Sequence, residues 1–185
     1  MDKILAFEYL LLQMIKHLKL NDYAQKDEKE IAKEFSRLKS LKLLFLAATA
    51  SKSKTDEGLL KTFDSFYAMQ YGPVESSIYD AITQNTLPHF NISLEGTTLT
   101  GEIQSCENEI SNDLDDQERK SLNNALNQLL QRNPKILSYT PFELVKITHK
   151  WKVWKEAYNF ALFMNKRSEK MDMSNLEEKG NFIYV

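Results

Sequence analysis

The sequence predicts a mainly α fold, a compact helical domain with one small β-hairpin. Three observations carry this. Apolar residues recur three and four positions apart through several long segments, the spacing of one face of a helix. Asp or Thr stands three positions ahead of a Glu where three of those segments begin, the signature of a helix N-terminus. Only one stretch, "HFNISLEGTTLTGEI", alternates apolar and polar residues as paired strands do.

The first helix covers residues 3–20, with Ile4, Phe7, Leu11, Met14, Ile15 and Leu18 on one face. Asn21 and Asp22 break it. The second begins at Asp27, paired with Glu30, and runs to Ser51 through Ile31, Phe35, Leu38 and Leu41. Its later part, Leu43 to Ala48, is apolar on every side, which places it inside the protein. "SKSKTDEG" is a polar connection. Residues 59–70 read as a short aromatic-rich helix with Phe63, Phe66 and Tyr67.

Gly72-Pro73 then reads as a hard corner between that helix and the short one after it. Glycine takes backbone angles closed to other residues, and proline suits a first helical turn. The hairpin follows over 89–104, turning at Glu95-Gly96. Asp115 and Glu118 cap a helix over 116–132 whose core stripe is Leu122, Ala125, Leu126, Leu129 and Leu130. Asn133-Pro134 ends it. Thr140-Pro141-Phe142-Glu143 is a capping box with proline at the first helical position, and residues 141–164 are mostly helical. Residues 1–165 therefore read as a single domain, and 166–185 as a polar tail. The closing "NFIYV" has the composition to add a third strand to the hairpin or to stay unpaired.

Composition narrows the function. The net charge is −2, which argues against a surface built as a whole for nucleic acid. A single cysteine, Cys106, allows no disulfide within the chain and no thiolate metal site, and it fits a reducing cytoplasm. The N-terminus shows no signal-peptide pattern. "LKLLFLAATA" imitates the apolar part of one, but it follows a long amphipathic stretch and reads as a buried helix. No apolar run approaches the ~18 residues of a membrane span.

No catalytic constellation assembles. There is no Gly-rich phosphate loop, no nucleophile elbow and no His-Glu-x-x-His. His17, His89 and His149 are scattered, so no local metal or cofactor box is written here. Asp113, Asp115, Asp116 and Glu118 lack the spacing of a calcium loop and read as a solvated capping face. In "VKITHKWKVWKEA", Lys146, Lys150, Lys152 and Lys155 alternate with His149, Trp151 and Trp154. Large aromatics serve packing first, so core tryptophans flanked by solvated lysines are the plain reading. A protein contact surface is the sharper one. A nucleic-acid-contacting regulator using Lys146–Lys155 is the alternative function. His149 reads as structural, at a helix C-terminus that favours a protonated imidazole.

Two segments together resemble a known family. "FDSFYAMQYGPVESSIYDAI" is similar to the Tyr-Gly-Pro-Val…Tyr signature of the Panacea domain, the SocA-like and phage-associated group, here Tyr71, Gly72, Pro73, Val74 and Tyr79. "PFELVKITHKWKVWKEA" is similar to its second signature, here Glu143, Leu144, Thr148, His149 and Trp154. Lys42-Leu43-Leu44-Phe45 resembles its Lys-Leu-Leu-Tyr helix. The order and spacing agree over residues 35–160. Ser40 stands where the family usually carries leucine, and the Gly-Pro it usually has between histidine and tryptophan is absent. The resemblance implies a compact helical domain with a small β element that acts without catalysis or cofactor. It implies an antitoxin that binds a cognate protein toxin encoded beside it and neutralises it, or an adaptor that delivers the toxin to a protease. The motif residues are then structural or partner-binding.

Overall fold

The structure, a computed structural model, describes residues 1–21 and 23–176. Among the described residues, eight α-helices enclose two small antiparallel sheets, so the fold is mainly α with a small β element.

Helix α1 (Lys3–Asn21) buries the predicted face, Phe7, Leu11, Met14, Ile15 and Leu18 included. The segment expected as one helix from Asp27 to Ser51 is two, α2 (Glu28–Ala32) and α3 (Arg37–Ala50). The Asp27 carboxylate accepts from the Glu30 amide, as its spacing requires. The break after Ala32 has a tertiary cause. The Phe35 carbonyl accepts the Thr97 hydroxyl, and the Arg37 amide donates to the Ser93 carbonyl at 2.7 Å. These backbone groups bond to the hairpin instead of to a helix. Ser36 then restarts the helix by accepting from the Lys39 amide.

Helix α3 is the centre of the molecule. Every residue from Lys39 to Ala50 is buried. Helix α1, helices α6 (Asp116–Arg132) and α7 (Pro141–Thr148), and strand β2 (Gly72–Glu75) pack around it. A helix apolar all round needs such a wrapping, because each side left wet would expose apolar surface.

Residues 59–70 are not a helix. A single 3₁₀ turn covers Gly58–Lys61, and Phe66–Met69 is strand β1. It pairs with β2 in a second, tighter hairpin, with Met69 opposite Gly72. Phe66 and Ala68 point inward while Tyr67 and Met69 are half-buried, a period of two that four residues are too few to reveal in the sequence. Gly72-Pro73 is accordingly not a helix–helix corner. Gln70 and Tyr71 keep negative φ, and Gly72 takes the left-handed angle of the turn at φ +97°. The next helix, α4 (Ser76–Thr83), is capped by Glu75, whose buried carboxylate accepts the Ile78 amide at 2.9 Å and pairs with Lys3 at 2.9 Å.

The predicted hairpin is present as β3 (Phe90–Ile92) and β4 (Thr97–Leu99). Its second half stops sooner than expected. Residues from Ile103 to Asn112 form helix α5, seated on α1 through Cys106 and Ile110. Its apolar residues are too sparse to announce a helix. The capping boxes at Asp115–Glu118 and Thr140–Glu143 are both formed, with Pro141 at the start of α7. After α7 the chain turns at His149–Trp151 into helix α8 (Lys152–Phe163). A short strand, β5 (Glu169–Lys170), lies within the expected polar tail, but it pairs with β1 rather than with the predicted hairpin. "NFIYV" lies outside the described residues.

Candidate partner-binding cleft

Three segments that are far apart in sequence meet at one place. From α3, Lys42 projects into the interior with no exposed surface, and its Nζ donates to the Pro73 carbonyl at 2.6 Å. From the β1–β2 turn, Gly72 lies against it. A Cβ on Gly72 would stand 2.7 Å from Thr148 Oγ1 and 3.1 Å from Lys42 Cε. From the α7–α8 junction, Thr148 is fully buried and its hydroxyl donates back to the Val145 carbonyl at 3.1 Å. Trp154 reaches the same turn from α8, donating Nε1–H to the Met69 carbonyl at 3.1 Å. Lys42, Gly72, Pro73, Thr148 and Trp154 therefore form one knot that ties α3, the tight hairpin and the last two helices together.

Burial without a counter-charge pushes the Lys42 ammonium down to about 7. His149 closes the side of the knot. Its ring stacks on Trp154 at 3.8 Å and 9°, and Trp154 in turn stacks on Tyr158. Its pKa is lowered, first by burial and then by the nearby Lys42 charge, against a hydrogen bond with the Gln70 backbone. The expected protonated imidazole is therefore corrected. His149 does sit at the end of α7, but lost hydration and a neighbouring cation outweigh the helix dipole there. Its Nε2 is buried with no hydrogen-bond partner among the described residues.

Above the knot opens a cleft of about 540 Å³. Tyr71, Val74 and Tyr79 line it with the buried Lys42 at its base, while Gly72, Pro73 and Thr148 support it from below. Sequence reading named Leu38 and Leu41 only as a helix face and did not single out the rest of the wall as a site. Leu38 and Leu41 come from α3, Leu94 from the loop of the β3–β4 hairpin, Phe142 from α7, and Arg167 from beyond α8. Tyr71, Leu94 and Phe142 are 55%, 72% and 66% exposed, unusual for side chains of that size. Phe142 was visible only as a member of the capping box, and Leu94 only as a hairpin residue. Glu143 stands apart from the cleft's lining, because its carboxylate accepts the Thr140 amide and hydroxyl, both at 2.7 Å, and caps α7.

The other titratable groups are structural. The scattered histidines include one with partners that sequence distance concealed. The Glu8 carboxylate, buried in α1, accepts the His89 amide at 2.8 Å and lies 2.7 Å from His89 Nδ1. Glu109 of α5 lies 3.3 Å from the other ring nitrogen. This chain fastens the start of the hairpin to α1 and α5. Burial raises the Cys106 thiol, the opposite of what a nucleophile needs. No group of His, Cys, Asp and Glu among the described residues is arranged to hold a metal.

Trp151 and Trp154 are 5% and 7% exposed, and Trp151 meets Phe45 edge-on at 5.3 Å. The plain reading of that segment is the one the fold adopts. Lys146, Lys152 and Lys155 are exposed beside core tryptophans. Among the described residues, no helix is long and apolar enough to cross a membrane.

The family model described as antitoxin SocA-like, Panacea domain matches residues 41–155. No curated protein and no solved structure matches the chain.

Proposed function

The chain belongs to the family of SocA-like antitoxins with a Panacea domain, and from that we propose that it binds a cognate protein toxin encoded beside it and neutralises it without catalysis. One observation carries the reading to this molecule. The matched residues build a buried, hydrogen-bonded floor, and directly above it large apolar side chains stand exposed around an open cleft. Stable proteins leave such a patch uncovered where a partner covers it. The groups able to do chemistry are spent on structure: Lys42 on a carbonyl, His149 on a tryptophan face, His89 on two carboxylates. A single cysteine and a partner made in the same cell fit action in the cytoplasm.

The nucleic-acid alternative loses its main support, because both tryptophans beside the lysines are buried and cannot stack on bases. The test is co-expression with the adjacent reading frame. If that product arrests growth alone and growth returns with this protein, the reading stands. Neutralisation and delivery to a protease part on one further measurement, the toxin's lifetime in cells. Neutralisation leaves it unchanged, whereas delivery shortens it. Absence of any protection by a folded protein would overturn the antitoxin reading.

A further inference from the structure

The cleft has a charge as well as a shape. Arg37 begins α3 on one wall, with its guanidinium 5.6 Å from the centre of the Tyr79 ring. Arg167 stands on another wall, beyond the end of α8. Neither pairs with a carboxylate among the described residues, and no Asp or Glu lines the cleft. Lys42 lies beneath. The surrounding surface is apolar: Leu38, Leu41, Val74, Leu94 and Phe142. A depression beside α8 has the opposite balance, three carboxylates (Glu156, Glu169 and Asp172) against one lysine, Lys170. The positive sign is therefore local to the cleft, on a chain whose net charge is −2. Both arginines also fall outside residues 41–155, so the family match does not account for them.

We propose that the cleft docks a segment of the partner protein that carries a carboxylate between large apolar side chains. The carboxylate lies between Arg37 and Arg167, whose planar guanidinium groups suit it, and the apolar side chains lie on Leu38, Leu41, Leu94 and Phe142. A space of about 540 Å³ suits a few side chains rather than a whole domain face. Arg37 is held over Tyr79 and loses little freedom on binding. The arginines set which segment is accepted, while the apolar floor supplies most of the attraction. This inference rests on the antitoxin reading only for the partner being the toxin; the chemistry of the cleft stands apart from it.

The test uses the full chain and a random dodecapeptide library displayed on phage. Enriched peptides are expected to place Asp or Glu among Leu, Phe or Trp. A synthetic peptide of that kind should lose about tenfold in affinity with Arg37→Glu or Arg167→Glu, as attraction turns to repulsion, and should weaken as salt is raised. Arg167 is exposed, so its variant reports binding even if Arg37→Glu unsettles α3. Phe163→Ser, at the exposed apolar end of α8, should bind as the parent does. Enrichment of peptides without acidic residues, equal binding by both arginine variants, binding lost with Phe163→Ser, or no enrichment would each overturn the proposal. Captured acidic-apolar peptides with no protection of cells would instead overturn the antitoxin reading and leave the cleft's chemistry standing.

Discussion

Gly72 is where one added carbon should cost most. Two effects combine in Gly72→Ala. At φ +97° an L-residue pays roughly 1–2 kcal/mol for crowding its own backbone. The new Cβ would also meet Thr148 Oγ1 at 2.7 Å and Lys42 Cε at 3.1 Å, both closer than carbon ordinarily approaches. Neither neighbour can swing aside freely. Thr148 is fully buried and bonded to the Val145 carbonyl, and Lys42 is fully buried and bonded to the Pro73 carbonyl. Overpacking of this kind costs about 1–3 kcal/mol. The sum for Ala is about 2–5 kcal/mol, with Val worse because it is β-branched. In a chain of this length that lowers Tm by about 4–20 °C. Thermal and urea unfolding followed by circular dichroism reads it. Gly101→Ala is the control, since its Cβ would meet only Cys106 Sγ at an ordinary 3.7 Å, and it should stay within about 0.5 kcal/mol of the parent. Thr148→Ala costs stability alone, but combined with Gly72→Ala it should recover about 1 kcal/mol of coupling. If Gly72→Val melts within about 1 °C of the parent, the packing described for the knot is wrong.

Four further predictions follow from named contacts. Lys42 has its folded pKa depressed to about 7 from 10.5, so the unfolded chain holds the extra proton between those values and Lys42 adds stability as pH rises through that window. Measured against Lys42→Met, the parent should gain up to about 5 kcal/mol from pH 7 to pH 10.5, and a flat difference would refute the buried ammonium. His149→Gln should fold with a loss of about 1 kcal/mol and still protect cells, because the imidazole is neutral at pH 7 and serves as a lid on Trp154; lost protection with unchanged stability and toxin binding would show that it does chemistry. Ser40, buried in α3 with a hydroxyl that finds no partner among the described residues, should tolerate Ser40→Ala at no cost or with a gain of up to about 1 kcal/mol, as read by urea midpoint. Glu8→Leu strands the His89 amide and should cost about 1–3 kcal/mol in the same assay.

Much of the helical framework could be read from the chain because its causes are local. A capping carboxylate or hydroxyl acts on an amide three residues away, and an amphipathic face repeats within two turns. Helix α1, the caps at Asp27, Asp115 and Thr140, and the stripe of α6 all show this. The all-apolar run of α3 announced its burial for the same reason. The reading failed where distant groups decided. Thr97 and Ser93 capture the backbone around Ser36 and split a helix that local propensity would continue. Strand β1 exists because β2 and β5 flank it, and its aromatic residues alone suit a helix equally well. The sparse apolar residues of α5 gain meaning only against α1.

The candidate site divides the same way. The motif residues were legible one by one, and sequence alone marked Gly72 as a residue of special backbone geometry. That Lys42, Gly72, Thr148 and Trp154 share one knot follows only from the folded chain, because they are brought together across a hundred positions. The cleft above them is more distant still from the sequence. Arg37, Leu94, Phe142 and Arg167 come from four separate segments and share no spacing. Local patterning and composition determined a helical protein with little net charge. Long-range packing alone decided which few side chains it leaves uncovered, since exposure is a property of what the other segments fail to bury.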